Sequence, residues 1–153
     1  MVHKFKYQHL LSLKNVFKNV LNKSLLIHKQ YLYQNNFIIV PVPLHKYKEK
    51  IRGFNQSSIL AKLISEITDL KTYDNVLIRF KNNQPQAKLN NNLERQKNVS
   101  SIFKINVSYQ QFIKNKKIIL IDDVFTTGST LNECAKILKQ NGANTVIAIC
   151  LAR

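Results

Sequence analysis

The stretch that decides the fold is Lys117-Ile118-Ile119-Leu120-Ile121-Asp122-Asp123-Val124-Phe125-Thr126-Thr127-Gly128-Ser129-Thr130. Ile118 to Ile121 are apolar and mostly β-branched, which predicts a short strand buried on both faces, as in a parallel sheet. Two adjacent carboxylates, Asp122 and Asp123, fall where that strand has to end. Small hydroxyl residues then surround one glycine, and Leu131, Cys134, Ala135 and Leu138 follow at helical spacing. A helix start offers backbone N–H groups without intrahelical acceptors, and its dipole favours an anion. Thr and Ser hydroxyls add donors, and Gly128 lets the backbone approach a ligand without a Cβ in the way. The carboxylates would repel a phosphate. They suit hydroxyl donors, such as the 2′ and 3′ groups of a ribose, or a nearby Mg²⁺.

This run resembles the phosphoribosyl-pyrophosphate (PRPP) motif of type I phosphoribosyltransferases, a hydrophobic strand, two acids and a T-T-G-x-[ST] loop, without a gap from Ile118 to Thr130. The resemblance implies that Asp122 and Asp123, the candidate catalytic pair, bind the ribose hydroxyls. It likewise implies that Thr126, Thr127, Gly128, Ser129 and Thr130 hold the 5′-phosphate. The residues alone also admit an ordinary β-α turn with Thr126 or Thr127 as N-cap and both Asp merely solvated. A dinucleotide site fits worse, because there is no G-x-G-x-x-G and the acids precede the loop instead of following it by about twenty residues.

Composition frames the rest. A chain of 153 residues, 44% of them hydrophobic, predicts one globular domain over 1–153 that buries about two-thirds of its unfolded surface. No apolar run is long enough to span a membrane. Lys4 and Lys6 precede no unbroken apolar segment or small-residue cleavage site, so a cytoplasmic protein is expected. Cys134 and Cys150 fall on a predicted helix and a predicted strand and read as reduced core residues, too few for a four-cysteine zinc site.

The net charge is +16 and unevenly spread. Eight Lys and no acid precede Glu49, and nine Lys/Arg face the single Glu94 between Arg79 and Lys117. Such asymmetry suits a polyanion, either nucleic acid or a polyphosphorylated small molecule. A solvated lysine surface is the plainer reading.

In chain order, Leu10, Leu11, Leu13, Val16, Phe17, Val20 and Leu21, then Leu25 and Leu26, predict an N-terminal helical segment within 1–35, ahead of a core at 37–153. Asn35-Asn36 marks a loop. Phe37 to Val40 reads as a strand that Pro41 must stop. Ser57 to Ile67 reads as a helix with Ile59, Leu60, Leu63, Ile64 and Ile67 on one face. Leu44 to Gln56 between them reads as a basic loop, in which His45 is a surface residue rather than a catalyst. Val76 to Ile78 reads as a second core strand and 101–105 as a short one. The polar stretch 80–100 is a long connection, and Thr145 to Leu151 is the last strand, preceded by a helix-ending Gly142.

Together VPVPLH, a basic spacer and RGFNQS resemble the ComF family of amidophosphoribosyltransferase-like proteins. The similarity continues through Arg79, Pro85-Gln86, Leu89, Arg95, Asn98-Val99 and Phe103, and ends with Leu151-Ala152-Arg153. The four-cysteine zinc ribbon that many ComF proteins carry at the N-terminus is missing from this sequence, and Phe125 stands where a small aliphatic residue is usual. The resemblance implies a type I phosphoribosyltransferase-like α/β fold, with a central, mostly parallel sheet flanked by helices and 80–100 as a flexible hood. It places pyrophosphate at the early basic loop, with Lys46 and Arg52 as candidates. It brings Mg²⁺ in with PRPP and gives no residue a direct metal contact.

The expected chemistry displaces pyrophosphate through an oxocarbenium-like transition state. It needs rigid ribose binding and charge stabilisation, and no protein nucleophile. No segment resembles a reader of a particular acceptor. Expected partners are PRPP, single-stranded DNA through a link to natural competence and DNA uptake, and a second copy of the chain. A regulator that senses PRPP without turnover, or a single-stranded DNA-binding protein, is the alternative function.

Overall fold

A computed structural model describes residues 28–80, 102–125 and 127–152, with side chains described as far as Leu151. The expected N-terminal helix before residue 28, the hood expected at 80–100 apart from Phe80, and Thr126 lie outside the described residues.

The described chain begins in a helix, α1 (28–34), which ends at the Asn35-Asn36 turn. There follow β1 (Phe37–Pro41), α2 (Lys46–Arg52), α3 (Gln56–Thr68), β2 (Leu77–Arg79) and β3 (Phe103–Ile105). A 3₁₀ turn at Val107–Tyr109 leads into β4 (Lys117–Val124), then α4 (Ser129–Gln140) and β5 (Thr145–Ala152). β4 is the middle of a parallel sheet of order β1-β4-β5, as its unbroken apolar run requires. Ile118, Ile119, Leu120 and Ile121 have no exposed surface.

Strand alternation divides those four residues between two cores. Ile119 and Ile121 point with Phe37 and Ile39 towards the apolar face of α3, where Leu60, Ala61, Ile64 and Ile67 pack. Ile118 and Leu120 point with Ile38 and Val40 towards Leu131, Cys134, Ile137 and Leu138 of α4, and Phe103 joins that side. The sheet is thus covered on both faces, and the expected α/β architecture with a parallel centre flanked by helices is what the chain adopts.

Two expectations need correction. The basic stretch Leu44 to Gln56 is not simply a loop, because it contains α2. That helix has no buried residue, so it leaves no apolar periodicity to detect. It is held at its ends: His45 Nδ1 accepts the Tyr47 N–H at 3.2 Å, and Gly53, at φ 83°, donates its N–H to the Glu49 carbonyl at 2.7 Å. The second correction concerns β2. Val76 and Leu77 are buried, but the strand pairs antiparallel with β3 in a separate two-stranded sheet. A strand's own pattern says that it is buried and does not say beside what. Gly142 has φ 94° just past the end of α4, as a helix-terminating glycine should. No helix among the described residues is long and apolar enough to cross a membrane.

Candidate functional site

The acid pair, the α3 start and the α4 start meet at the carboxyl end of the parallel sheet, where ligand crevices of open α/β sheets form. One cleft of about 220 Å³ lies there. Asp122, Asp123 and Val124 line it from β4, Val42, Pro43 and Leu44 from the end of β1, and Asn55, Gln56 and Ser57 from the α3 start. Arg52, Arg79 and Thr130 complete it.

The two carboxylates are held differently. Asp122 Oδ1 accepts from the Ser57 hydroxyl at 3.0 Å and from the Asp123 N–H at 3.0 Å. Burial pushes the Asp122 carboxyl above the usual carboxylate range, and the two hydrogen bonds oppose that rise. The neighbouring Asp123 charge adds to it. The Asp123 carboxylate is also half-buried and lines the cleft.

Of the hydroxyl-rich loop, Thr130 reaches the cleft wall, whereas Thr127 and Ser129 are exposed and bonded to each other. Thr127 Oγ1 donates to Ser129 Oγ at 2.9 Å and accepts the Ser129 N–H at 3.3 Å. Gly128 is buried at the N-cap of α4 with φ 73°. A Cβ there would sit 2.8 Å from the Phe125 ring, so the glycine answers an intramolecular demand as well as the ligand approach expected of it. Thr127 takes the capping role in part, since it bonds an N–H of the first turn.

The expected basic pair separates. Arg52, on the last turn of α2, lines the cleft, and Lys46, exposed at the first turn, is not among the lining residues. His45 is engaged as the cap of α2. Arg79 takes the second cationic position. It closes β2, its guanidinium lies 5.4 Å from the centre of the Phe103 ring, and its buried Nε has no hydrogen-bond partner among the described residues. Arg79 and Ser57 were legible only as letters of a family pattern, because neither position shows its chemistry until β2 and α3 are folded.

A family model for the phosphoribosyl transferase domain matches residues 54–153, which include α3, Arg79, the acid pair and the α4 loop. The chain belongs to the phosphoribosyltransferase family. Competence protein F of Haemophilus influenzae is 36% identical over 115 residues, 75% of this chain and 49% of that protein. The DNA utilization protein YhgH of Escherichia coli K12 is 34% identical over 115 residues, 75% of this chain and 48% of that one. Competence protein ComFC of Streptococcus pneumoniae is 27% identical over 98% of this chain and 60% of its own length. The expected ComF membership within the phosphoribosyltransferases is borne out by these relatives and the domain match together. This phosphoribosyltransferase-family chain spans about half the length of the Haemophilus and Escherichia proteins.

Proposed function

We propose that the chain binds Mg·PRPP in the cleft at the carboxyl end of β4 and transfers its phosphoribosyl group to an acceptor. The observation that carries this reading is the convergence of Asp122, Asp123 and Thr130 with Arg52 and Arg79 in one cleft. Carboxylates accept from ribose hydroxyls, and the α4 start offers backbone N–H groups to the 5′-phosphate, the Ser129 N–H by giving up its 3.3 Å bond to Thr127 Oγ1. The two guanidiniums would face the charge that builds on departing pyrophosphate, and Arg79 Nε, without a hydrogen-bond partner among the described residues, is a donor suited to an oxygen acceptor. Bound together with PRPP, Mg²⁺ would supply charge compensation for the pyrophosphate, with no residue of this chain assigned to hold it directly. In the transfer, the bond from the anomeric carbon to pyrophosphate oxygen breaks, pyrophosphate keeps the electron pair, and the acceptor's lone pair forms the new bond. This chain's residues would hold the ribose still and limit water at that carbon.

Calorimetry with PRPP, with and without Mg²⁺, tests the binding. Saturable heat that depends on Mg²⁺ is the expected result, and no heat at millimolar ligand would sink the reading. Turnover is tested by pyrophosphate release on incubation of Mg·PRPP with pooled nucleobases and amines. Binding without release would move the chain to the PRPP-sensing alternative.

A second reading, contact with single-stranded DNA, is favoured by the opposite end of the sheet. Two clefts of about 370 and 350 Å³ share Asn115 and are lined by Lys114, Lys116 and Lys117 with Asn and Gln side chains and Gly142. No acid lines either of them. Lysine and amide groups suit phosphates and base edges, and the names of the competence and DNA utilization relatives point the same way. Binding should show little sequence preference, and log affinity should fall with log salt by about 0.7 per phosphate neutralised. Changing Lys114, Lys116 and Lys117 to Gln should flatten that slope in a fluorescent-DNA titration. An unaltered slope would remove this face from the reading.

A further inference from the structure

We propose that Ser57 is the positioning residue of the acid pair, fixing the Asp122 carboxylate so that one oxygen belongs to the protein and the other to the ligand. The inference rests on the PRPP reading and deepens it. Its basis is a closed circuit of hydrogen bonds between the α3 start and the end of β4. The Val42 N–H donates to the Ile121 carbonyl at 2.8 Å, which ties the end of β1 to β4. The Val42 carbonyl accepts from Asn55 Nδ2 at 3.0 Å, and Asn55 Oδ1 accepts the Ser57 N–H at 3.2 Å as the N-cap of α3. The Ser57 hydroxyl closes the circuit on Asp122 Oδ1.

The groups in that circuit are tied to one another and partly shielded from water. Ser57 is 4% exposed, so water does not compete for its hydroxyl. Asn55 spends its carbonyl on the helix cap and its amide on Val42, which sets where α3 begins. Asp122 Oδ1 is taken by Ser57 and by the Asp123 N–H, which leaves Oδ2 as the oxygen the proposal assigns to the ligand. The Asp123 N–H is turned inward by the same bond, which leaves the Asp123 side chain at the cleft. The stretch RGFNQS is thereby joined to the acid pair sixty-five residues away. A positioned carboxylate binds a ribose hydroxyl without first losing rotamer freedom. The charged groups that share the site are Asp123, Arg52 and Arg79, with the buried Cys134 thiol of α4 beneath.

The test uses the full chain as Ser57→Ala and Ser57→Thr, with Mg·PRPP calorimetry and a carbon-13 titration of the Asp122 carboxyl by NMR. Ser57→Ala should weaken binding about five-fold, the scale of one hydrogen bond, and Ser57→Thr, which keeps the hydroxyl, should return it to within about two-fold. The Asp122 titration should move up in Ser57→Ala, because a donor to the charged form is lost, and return in Ser57→Thr. Unchanged binding with an unmoved titration in Ser57→Ala overturns the positioning role while the PRPP reading stands. Equal loss in both variants with an unmoved titration assigns Ser57 to packing and also overturns it. If the parent chain binds no PRPP, that reading fails, and the carboxyl titration alone decides for or against Ser57.

Discussion

Gly128→Val is expected to abolish Mg·PRPP binding at any concentration calorimetry can reach. Gly128 has φ 73°, which a β-branched residue adopts only with strain, and its absent Cβ would lie 2.8 Å from two carbons of the Phe125 ring. Valine would have to rotate the N-cap of α4 out of the left-handed region. The backbone N–H groups of the first turn of α4 would turn with it, and those are the donors assigned to the 5′-phosphate. The strain should also cost about 1–3 kcal/mol of stability, measurable by urea unfolding, so a folded variant that fails to bind is the expected outcome. Ser129→Ala is the control. It removes a hydroxyl bonded only locally to Thr127 and leaves the backbone donors in place, so its effect should be much smaller. If Ser129→Ala proves the worse of the two, side chains and not the backbone hold the phosphate.

Much of this site was written in Ile118 to Thr130. A run of branched apolar residues can be satisfied only between two covered faces, and the two cores on either side of β4 follow from its alternation. The helical periods of α3 and α4 were legible for the same reason, since each buries one face. What stayed hidden has no such signature. α2 buries nothing, β2 finds its partner across a long connection, and the usefulness of Arg79 depends on that pairing, which sets its guanidinium against Phe103. Lys46 and Arg52 looked equivalent as letters. They lie six positions apart, at opposite ends of α2, and Arg52 alone of the two lines the cleft. Phe125, an oddity in the motif, turns out to sharpen the demand for glycine three residues on.

Asp122→Asn and Asp123→Asn should each weaken Mg·PRPP binding by about 1.5–3 kcal/mol, or roughly 10- to 150-fold, the scale of hydrogen bonds to a charged group. Asp122→Asn should also leave a mark on the fold that is read without reference to ligand. Burial raises the Asp122 carboxyl, so the native state holds that proton more tightly than the unfolded chain does. The contribution of this group to stability is therefore full in acid and is lost as pH rises through its raised value. Asparagine never ionises and can still accept from Ser57, so Asp122→Asn should gain on the parent chain as pH climbs from acid to neutral. Urea unfolding of both variants across that range, with calorimetry at neutral pH, reads out the two effects together. Lost binding with preserved folding would mark the pair as ligand groups. Unchanged affinity in both variants would sink the ribose assignment, since two carboxylates at a cleft that PRPP occupied could not both be neutralised without loss.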